Sequence, residues 1–278
     1  MNLSDKKEIV GILKKHGIRL TKGLGQNFLI NKNIILKLIR TSKINKSDVI
    51  LEIGPGIGVL TQELAKNSKM VVAIEKDRIL SEICKDNLKD LKNVFVINQD
   101  ALKSDVKKLF SDLKIKEKTY RVVANLPYNI SLRIIRRFLE DEFPPKDIVV
   151  IIQKEVGQKI CDKKSNLPKI AFNFYGKPKN LFYLSRELFW PKPKVDGVAL
   201  QIANIQKNLP DVDDKLFFKI LKAGFSHPRK TIVNNLSSLN IEKERIVVWL
   251  NRSNIDIKAR PENIKMEEWI NLTLNFKL

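Results

Sequence analysis

The chain has 278 residues, with 52 Lys and Arg against 31 Asp and Glu, and therefore carries a formal net charge of +21. Hydrophobic residues make up 43% of the chain and charged residues 30%, which excludes disordered, collagen-like and mucin-like proteins. The longest apolar run, residues 148–152, is far shorter than the roughly 18 residues that a membrane span needs.

The charge surplus favours a polyanionic partner, above all nucleic acid, because basic surfaces gather phosphates through counterion release. A lysine-rich proteome would produce the same composition, so both explanations stay open. Residues 1–20 carry Asp5 and Glu8 among lysines and lack a long apolar segment, which disfavours a secretory signal and a transit peptide. We therefore expect a cytoplasmic protein with no membrane partner.

The chain opens with helical patterns and continues with alternating strands and helices. The spacing of Ile9, Ile12 and Leu13 predicts a basic amphipathic helix. A glycine-rich loop follows over residues 23–29, and Asn31 is then expected to cap a second helix. Strand-like apolar runs alternate with helical patterns from there on, and they cover residues 49–53, 70–74, 94–97, 122–124, 148–152 and 198–202. This alternation predicts an α/β fold with a parallel sheet covered by helices on both faces.

The composition changes after about residue 208, where only helical periodicity continues, as at Leu216, Phe217 and Ile220. We therefore predict two domains, an α/β domain over residues 1–208 and a small all-helical domain over residues 209–278. Basic residues lie among the apolar faces of the second domain, namely Arg229, Lys230, Arg245, Arg252, Lys258 and Arg260.

Three glycines at alternate positions, Gly54, Gly56 and Gly58, lie where a predicted strand meets a helix. Such glycines let the backbone turn sharply and approach a ligand closely, although a tight turn without a ligand gives the same pattern. The loop lacks the Gly-Lys-Ser/Thr ending of a phosphate-binding loop, and its spacing is one residue short of the dinucleotide fingerprint. ATP and GTP are therefore poor candidates for its ligand.

Polar residues end the strands that surround this loop. Glu75 ends the second predicted strand, Asp100 follows the third and Asn125 the fourth. Because the carboxyl ends of parallel strands meet at one crevice, we expect Gly54, Glu75, Asp100 and Asn125 to converge. Glu75 lies where an acidic side chain can bind both hydroxyls of a ribose. Asp77 is better suited to capping the next helix.

The tetrapeptide Asn125-Leu126-Pro127-Tyr128 suits chemistry on an exocyclic adenine amine, whose lone pair is delocalised into the ring. The Asn125 side-chain oxygen and a carbonyl before Pro127 can accept the two N–H protons, while the Tyr128 ring stacks on the base. A cationic sulfonium donor needs placement rather than a general base, so we expect no metal. The base must be extruded or single-stranded, and Phe189 is our candidate for its second face, unless that ring only covers the sheet edge.

Several segments, taken together, are specific to one family. They are residues 25–29, 52–58, 125–131, 153–156, 189–196, 229–232 and 260–263, with Glu75 and Asp100. In them the chain resembles the ribosomal RNA adenine dimethyltransferases, and among these the kasugamycin-sensitivity type that acts on small-subunit rRNA. The resemblance implies a Rossmann-like class I S-adenosylmethionine-dependent methyltransferase sheet with a small C-terminal all-helical domain that docks rRNA.

The resemblance also implies roles for individual residues. S-adenosylmethionine would be the cofactor, with its methionine part beside the glycine loop, its ribose on Glu75 and its adenine amine on Asp100. The residues implied to bind the cofactor are Gln26, Asn27, Leu29, Gly54, Gly56, Glu75, Lys76, Asp100, Ala101 and Asn125. Those implied to hold the target adenosine, and so to be catalytic, are Asn125, Leu126, Tyr128 and Phe189.

The activity implied by the resemblance is the transfer of two methyl groups to N6 of each of two adjacent adenosines near the 3′ end of small-subunit (16S) rRNA. The implied partner is a pre-assembled small ribosomal subunit, and we expect the chain to act as a monomer. The chain departs from the family's usual residues at Gly197, at residues 167–170 and at His227-Pro228. These departures leave the details of substrate docking open.

Three alternatives remain. A related group methylates large-subunit rRNA and confers macrolide resistance, but it tends to lack the Phe-Ser-x-x-Arg-Lys-Thr segment found at residues 225–231. Mitochondrial transcription factors resembling this fold bind nucleic acid without catalysis, and the expected lack of a transit peptide counts against them. A nicotinamide-dependent dehydrogenase is disfavoured by the glycine spacing.

Overall fold

The structure is a computed structural model that describes residues 3–18, 27–115, 119–206 and 212–276. Its strands are β1 (Phe28–Leu29), β2 (Val49–Ile53), β3 (Met70–Glu75), β4 (Val94–Asn98), β5 (Arg121–Asn125), β6 (Asp147–Gln153), β7 (Lys177–Leu184), β8 (Phe189–Trp190) and β9 (Gly197–Ala203). Its helices are α1 (Lys6–Lys15), α2 (Lys32–Thr41), α3 (Val59–Asn67), α4 (Arg78–Leu88), α5 (Val106–Asp112), α6 (Ser131–Leu139), α7 (Lys154–Ile160), α8 (Leu167–Tyr175), α9 (Asp214–Gly224), α10 (Ile232–Leu236), α11 (Lys243–Arg252) and α12 (Met266–Leu274).

Within the described residues, one seven-stranded sheet has the order β4-β3-β2-β5-β6-β9-β7, and a separate two-stranded sheet pairs β1 with β8. The five strands from β2 to β6 are parallel to one another, and β9 is antiparallel to β6. The strand order reverses between β2 and β5, which lie side by side in the sheet. Ligands of doubly wound sheets bind outside the carboxyl ends of the strands at such a reversal.

The six strands predicted from apolar runs are all present, and each end lies within one residue of its prediction. The expectation of a wholly parallel sheet is wrong at β9. β9 lies between β6 and β7 in the sheet, and residues 185–196, all of them described, form no α-helix between β7 and β9 that could carry a parallel crossover. The apolar patterns do not predict β7 either, because Lys177, Pro178 and Lys179 occupy its first half.

A buried ionic cluster joins the amino ends of three strands. The Arg121 guanidinium at the start of β5 donates to Asp147 at the start of β6 at 2.7 Å and to Asp48, just before β2, at 2.9 Å. Arg121 also donates to the backbone carbonyl of Ser42 at 2.6 Å. Buried charges are tolerated when they are paired and hydrogen-bonded in this way. The cluster therefore holds β2, β5 and β6 together at their amino ends, on the side of the sheet opposite to their carboxyl ends.

The described residues divide into two compact units. Those within Met1–Gly157 and Lys179–Ile205 form the first, and those within Gln158–Pro178 and Gln206–Leu278 form the second. The second segment of the second unit begins at Gln206, close to the predicted boundary after residue 208. Its first segment, Gln158–Pro178, lies within the range that the sequence assigns to the first domain.

Aromatic packing explains why this segment belongs to the second unit. The Phe174 ring of α8 stacks on the Phe217 ring of α9 with a centroid separation of 4.2 Å. Trp269 of α12 is fully buried, and its ring stacks on Phe225 at 5.4 Å. The second unit thus has its own apolar core between helices. Among the described residues, no helix combines the length and the apolar character needed to cross a bilayer.

Candidate active site

A cavity of about 470 Å³ lies at the carboxyl ends of the parallel strands of the first unit. Gly54 follows β2, Glu75 ends β3, Asp100 follows β4 and Asn125 ends β5, and all four border this cavity. Their convergence is the one expected from the parallel strand order. The cavity is therefore our candidate active site.

The glycine loop adopts a backbone that side chains rarely permit. Gly54, Gly56 and Gly58 have φ angles of +67°, +60° and +95°, all in the left-handed region. A Cβ placed on Gly56 would lie 2.7 Å from the Phe28 ring, which also borders the cavity. Glycine at position 56 is thus required both by the turn and by the close approach of Phe28.

Glu75 holds the glycine loop in place at the end of β3. Its carboxylate accepts the backbone N–H of Gly56 at 3.0 Å and that of Asp77 at 2.9 Å. Burial raises the pKa of Glu75, whereas these two backbone hydrogen bonds lower it. An ionised carboxylate has about four lone-pair positions, so positions remain for a ligand's hydroxyl groups.

Asp100 lies on the other side of the cavity in a more open setting. Its carboxylate pairs with the Lys76 ammonium at 3.0 Å and accepts the backbone N–H of Leu102 at 3.0 Å. The hydrogen bond from Lys76 and that from Leu102 hold the pKa of Asp100 below its ordinary value. Asp100 is therefore an ionised hydrogen-bond acceptor at neutral pH. The neighbouring Ala101 is buried and borders the cavity.

Glu52 is a further acidic side chain at this cavity and has a different environment from Glu75 and Asp100. It is 1% exposed, and its Oε2 atom has no hydrogen-bond partner within the described structure. Burial raises the pKa of Glu52 to about 8, and the nearby Glu75 carboxylate adds to this rise. Glu52 therefore holds a proton under conditions in which an ordinary glutamate is ionised.

Asn125 is anchored through one end of its side chain. Its amide nitrogen donates to the backbone carbonyl of Asn27 at 2.7 Å, across 98 residues of sequence. Both residues border the cavity, as does Leu29. This hydrogen bond fixes the orientation of the amide and leaves its oxygen as the end that can accept a hydrogen bond from a ligand.

Three of the described sequence-predicted site residues, Leu126, Tyr128 and Phe189, do not border this cavity. Leu126 is 2% exposed, and its backbone N–H donates to the Ile151 carbonyl. Phe189 is also 2% exposed and lies opposite Leu29 in the two-stranded sheet. Tyr128 has a buried hydroxyl without a partner among the described atoms. Gln26 lies outside the described residues.

The amino-acid sequence matches a family model described as ribosomal RNA adenine dimethylase over residues 17–277. The protein named Ribosomal RNA small subunit methyltransferase A from Clostridioides difficile (strain 630) is 40% identical over 264 residues, which cover 93% of this chain and 91% of that protein. The chain belongs to the ribosomal RNA adenine dimethylase family. A protein of the same name from Alkaliphilus metalliredigens (strain QYMF) is 40% identical over 269 residues, covering 94% of this chain and 93% of that protein.

Two solved structures show how far the fold is shared with other rRNA methyltransferases. A dimethyladenosine transferase from Plasmodium falciparum has a TM-score of 0.74 at 24% identity and covers 88% of this chain and 96% of its own. The 23S rRNA methyltransferase ErmE has a TM-score of 0.68 at 21% identity, and the match covers 89% of this chain and 98% of that chain. These likenesses confirm the predicted fold class, a Rossmann-like methyltransferase sheet with a C-terminal helical part.

The cavity of this dimethylase family member also has apolar walls that the sequence patterns do not single out as ligand contacts. They include Phe28, Ile53, Leu80 and Leu102. Phe28 lies between Asn27 and Leu29, two residues that the resemblance implies to bind the cofactor. This position is the only feature of the sequence that points to Phe28 as a ligand contact. Ile53 and Leu80 read equally well as core residues of a strand and a helix, so only the folded chain distinguishes them.

Proposed function

We propose that the chain is an S-adenosylmethionine-dependent rRNA adenine dimethyltransferase. It transfers two methyl groups to N6 of each of two adjacent adenosines near the 3′ end of small-subunit rRNA. The observation that carries this proposal is that Asn125, which suits an adenine amine, borders the same cavity as the glycine loop, Glu75 and Asp100. Family membership and the names of the two relatives support the small-subunit substrate.

The cavity suits S-adenosylmethionine in size and in the chemistry of its walls. Its volume of about 470 Å³ falls within the usual range for small-molecule sites. Glu75 would bind the ribose hydroxyls, Asp100 the adenine amine, and the backbone at Gly54 and Gly56 the methionine part. Asn27, Leu29, Lys76, Ala101 and Gln26 are proposed to complete the site. When bound, this cofactor supplies a methyl group on a positively charged sulfur.

Asn125 is proposed to hold the target amine at the rim of the cofactor cavity. Because its nitrogen is fixed on the Asn27 carbonyl, its oxygen can accept one N–H of the base. The carbonyl of Leu126, which precedes Pro127, would accept the other N–H. Two fixed acceptors orient the amine toward the cofactor, so the rate enhancement would come from placement and electrostatics.

Tyr128 and Phe189 are proposed to hold the two faces of the target base. Neither ring borders the cofactor cavity, so the base would occupy a space of its own beside Asn125. An adenosine reaches such a place only when it is extruded from a helix or already unpaired. The proposed substrate is therefore an unpaired stretch of rRNA in a pre-assembled small ribosomal subunit.

The helical tail, residues 209–278, is proposed to dock rRNA. Its exposed cations can contact phosphates without first breaking a buried ion pair, and they include Arg229, Lys230, Arg245, Arg252, Lys258 and Arg260. A formal net charge of +21 for the whole chain favours the same partner. We propose further that the protein works as a monomer in the cytoplasm.

The test is incubation of the purified chain with S-adenosylmethionine and small ribosomal subunits that lack the modification. Mass spectrometry of rRNA digests is expected to show adenosines heavier by one and two methyl groups. Absence of any such adenosine would refute the proposed activity. Methylation of large-subunit rRNA instead, in a parallel incubation with large subunits, would favour the macrolide-resistance alternative.

A further inference from the structure

Tyr183 is an exposed aromatic residue at the edge of the seven-stranded sheet. It lies on the edge strand β7, and 53% of its surface is exposed. The Lys154 ammonium, at the start of α7, lies 5.5 Å from the centre of its ring. An exposed ring with a cation beside it has the composition of the stacking surfaces that bind single-stranded nucleic acid.

This pair lies close to the loop proposed to hold the target base. The backbone N–H of Lys154 donates to the carbonyl of Asp196 at 3.0 Å. Gly197 is the next residue, and a Cβ placed on it would lie 3.1 Å from the Tyr128 hydroxyl oxygen. Lys154, which lies beside the Tyr183 ring, is therefore hydrogen-bonded to the segment Asp196-Gly197, and that segment lies close to the Tyr128 hydroxyl.

The positive charge beside Tyr183 complements a phosphate backbone. Lys154, and Lys179 four positions before Tyr183 on β7, are engaged in no ion pair with a carboxylate in the described part of the chain. Of the carboxylates on neighbouring segments, Asp196 accepts the backbone N–H of Arg186 at 3.1 Å and Glu187 pairs with Lys192. Among the described residues, no ion pair joins Lys154 to Glu155, its neighbour in the chain. Free ammonium groups beside an exposed ring favour an anionic ligand that also carries an aromatic base.

We propose that Tyr183 and Lys154 form a binding site for an unpaired RNA nucleotide next to the target adenosine. The Tyr183 ring stacks on the base, and the Lys154 ammonium contacts the phosphate between that nucleotide and the adenosine held at Tyr128. This inference rests on the proposed function and extends it. Stacking on an aromatic side chain tolerates any base, so the site orients the strand without reading its sequence.

Steady-state methylation of unmodified small ribosomal subunits tests the site through three variants of Tyr183. Tyr183→Ala removes the ring, Tyr183→Leu keeps apolar bulk without a ring, and Tyr183→Phe keeps the ring without the hydroxyl. The Ala and Leu variants are expected to raise KM for the subunits about tenfold. The Phe variant is expected to stay within about twofold of the wild type, because stacking does not need the hydroxyl.

Two measurements separate stacking from a structural effect. Calorimetric titration with S-adenosylmethionine should give the same Kd for all three variants as for the wild type. Lys154→Gln should raise KM for the subunits and reduce its salt dependence, whereas Lys92→Gln, an exposed lysine before β4, should change neither. If Tyr183→Ala does not fold, the comparison of Leu with Phe decides the question.

Two outcomes overturn the inference. One is a KM for Tyr183→Leu equal to that of the wild type, and the other is an equal loss in the Leu and Phe variants, which would assign the effect to the hydroxyl. Failure of the proposed function looks different, because the wild-type chain itself would then leave the rRNA unmethylated.

Discussion

At the scale of single residues, Asn125 combines a fixed end with an available end. The hydrogen bond from its amide nitrogen to the Asn27 carbonyl orients the side chain before any ligand binds. Preorganised groups of this kind act without reorganising during the reaction, which is why they contribute strongly to rate. Substitution of Asn125 is therefore expected to lower turnover much more than affinity for the cofactor.

Asn125→Ala is expected to lower turnover about 100-fold or more, because the amine of the target base loses a fixed acceptor. Affinity for S-adenosylmethionine should change much less, since Glu75 and Asp100 remain. The measurements are single-turnover methylation of small subunits and calorimetric titration of the cofactor. Asn93→Ala is the matched control, because its amide also donates to a backbone carbonyl, that of Ala65 at 2.9 Å, and lies before β4. Equal losses in both variants would contradict the proposed role.

Glu52 carries a prediction about pH. Its pKa in the folded chain is about 8 against an ordinary value of 4.5, so the folded state keeps a proton that the unfolded chain has lost. The contribution of Glu52 to the free energy of unfolding is therefore fully present below about pH 4.5 and is lost as the pH rises through about 8. Above that range, ionisation of this buried group destabilises the fold.

Glu52→Gln is expected to remove this pH dependence. At about pH 9 the variant should be more stable than the wild type by on the order of a few kcal/mol, and near pH 4 the two should agree. Urea denaturation of both proteins at the two pH values gives the double difference, in which the titration of groups that do not interact with Glu52 cancels; Glu75 is a neighbour that does interact with it. A constant difference at the two pH values would show that folding does not raise the pKa of Glu52.

The sequence predicts a residue's role best where that role depends on its immediate neighbours in the chain, as in a helix cap. Asp77 accepts the backbone N–H groups of Ile79 and Leu80 as a helix cap, and Asn31 accepts that of Ile34, as predicted. The positions of Tyr128 and Phe189 depend instead on contacts with distant strands. Their position outside the cofactor cavity could not be predicted, because nothing in the local pattern shows that Phe189 pairs with Leu29 in a two-stranded sheet or that the Tyr128 hydroxyl lies near Gly197.

At the scale of elements, the glycine loop joins backbone strain to tight packing. Gly54 and Gly56 share the left-handed conformation. Of these two, only Gly56 is so placed that a Cβ would meet a neighbour, the Phe28 ring at 2.7 Å. A Cβ on Gly54 would meet nothing within 4 Å. The two positions therefore separate the effect of conformation from that of steric overlap.

Gly54→Ala is expected to lower the free energy of unfolding by about 1–2 kcal/mol through the positive φ angle alone. Gly56→Ala should cost about 1–3 kcal/mol more, because the new methyl group overlaps Phe28. Chemical denaturation of the cofactor-free chain measures both. In a Phe28→Leu background the extra cost at position 56 should shrink, and an unchanged cost would show that the ring is not its source.

The strands show which elements a sequence pattern can identify. Continuous apolar runs identify β2, β3, β5 and β6, which are almost wholly buried, because both of their faces are covered. β4 is a half-buried edge strand that still carries an apolar run over residues 94–97, whereas β7, at the other edge, begins with Lys177, Pro178 and Lys179 and carries no such run. The antiparallel direction of β9 depends on the connection from β7. An error about an edge strand therefore propagates into an error about the direction of its neighbour.

At the scale of the whole molecule, the sequence predicts the division into two units only where that division follows a local change in composition. The composition changes near residue 208, and the second unit resumes at Gln206. The segment Gln158–Pro178 contributes to that unit through Phe174, whose stacking partner Phe217 lies 43 residues further along the chain. A linear change in composition cannot reveal such a pairing, because it requires two separate segments to fold together.

The net charge of +21 is the property of the whole molecule that bears most directly on its proposed substrate. If the basic side chains neutralise rRNA phosphates, affinity for small ribosomal subunits must fall with ionic strength as counterions are released. Each contact should contribute a slope of about 0.7 to 0.9 in log affinity against log salt concentration. If the lysines reflect composition alone, the affinity should hardly respond to salt.

Paired variants locate the contacts that produce this slope. Arg245 and Arg252 lie seven positions apart on α11, both are exposed, and helical geometry places them on one face. Replacing both with Gln should reduce the slope by about 1.4 to 1.8, which is two contacts' worth, and leave cofactor affinity unchanged. Lys89→Gln combined with Lys92→Gln removes the same charge near the amino end of β4 and should leave the slope unchanged. Filter binding at several salt concentrations measures both slopes. Equal slopes for the two double variants would mean that net charge, rather than docking through the helical tail, governs the affinity for rRNA.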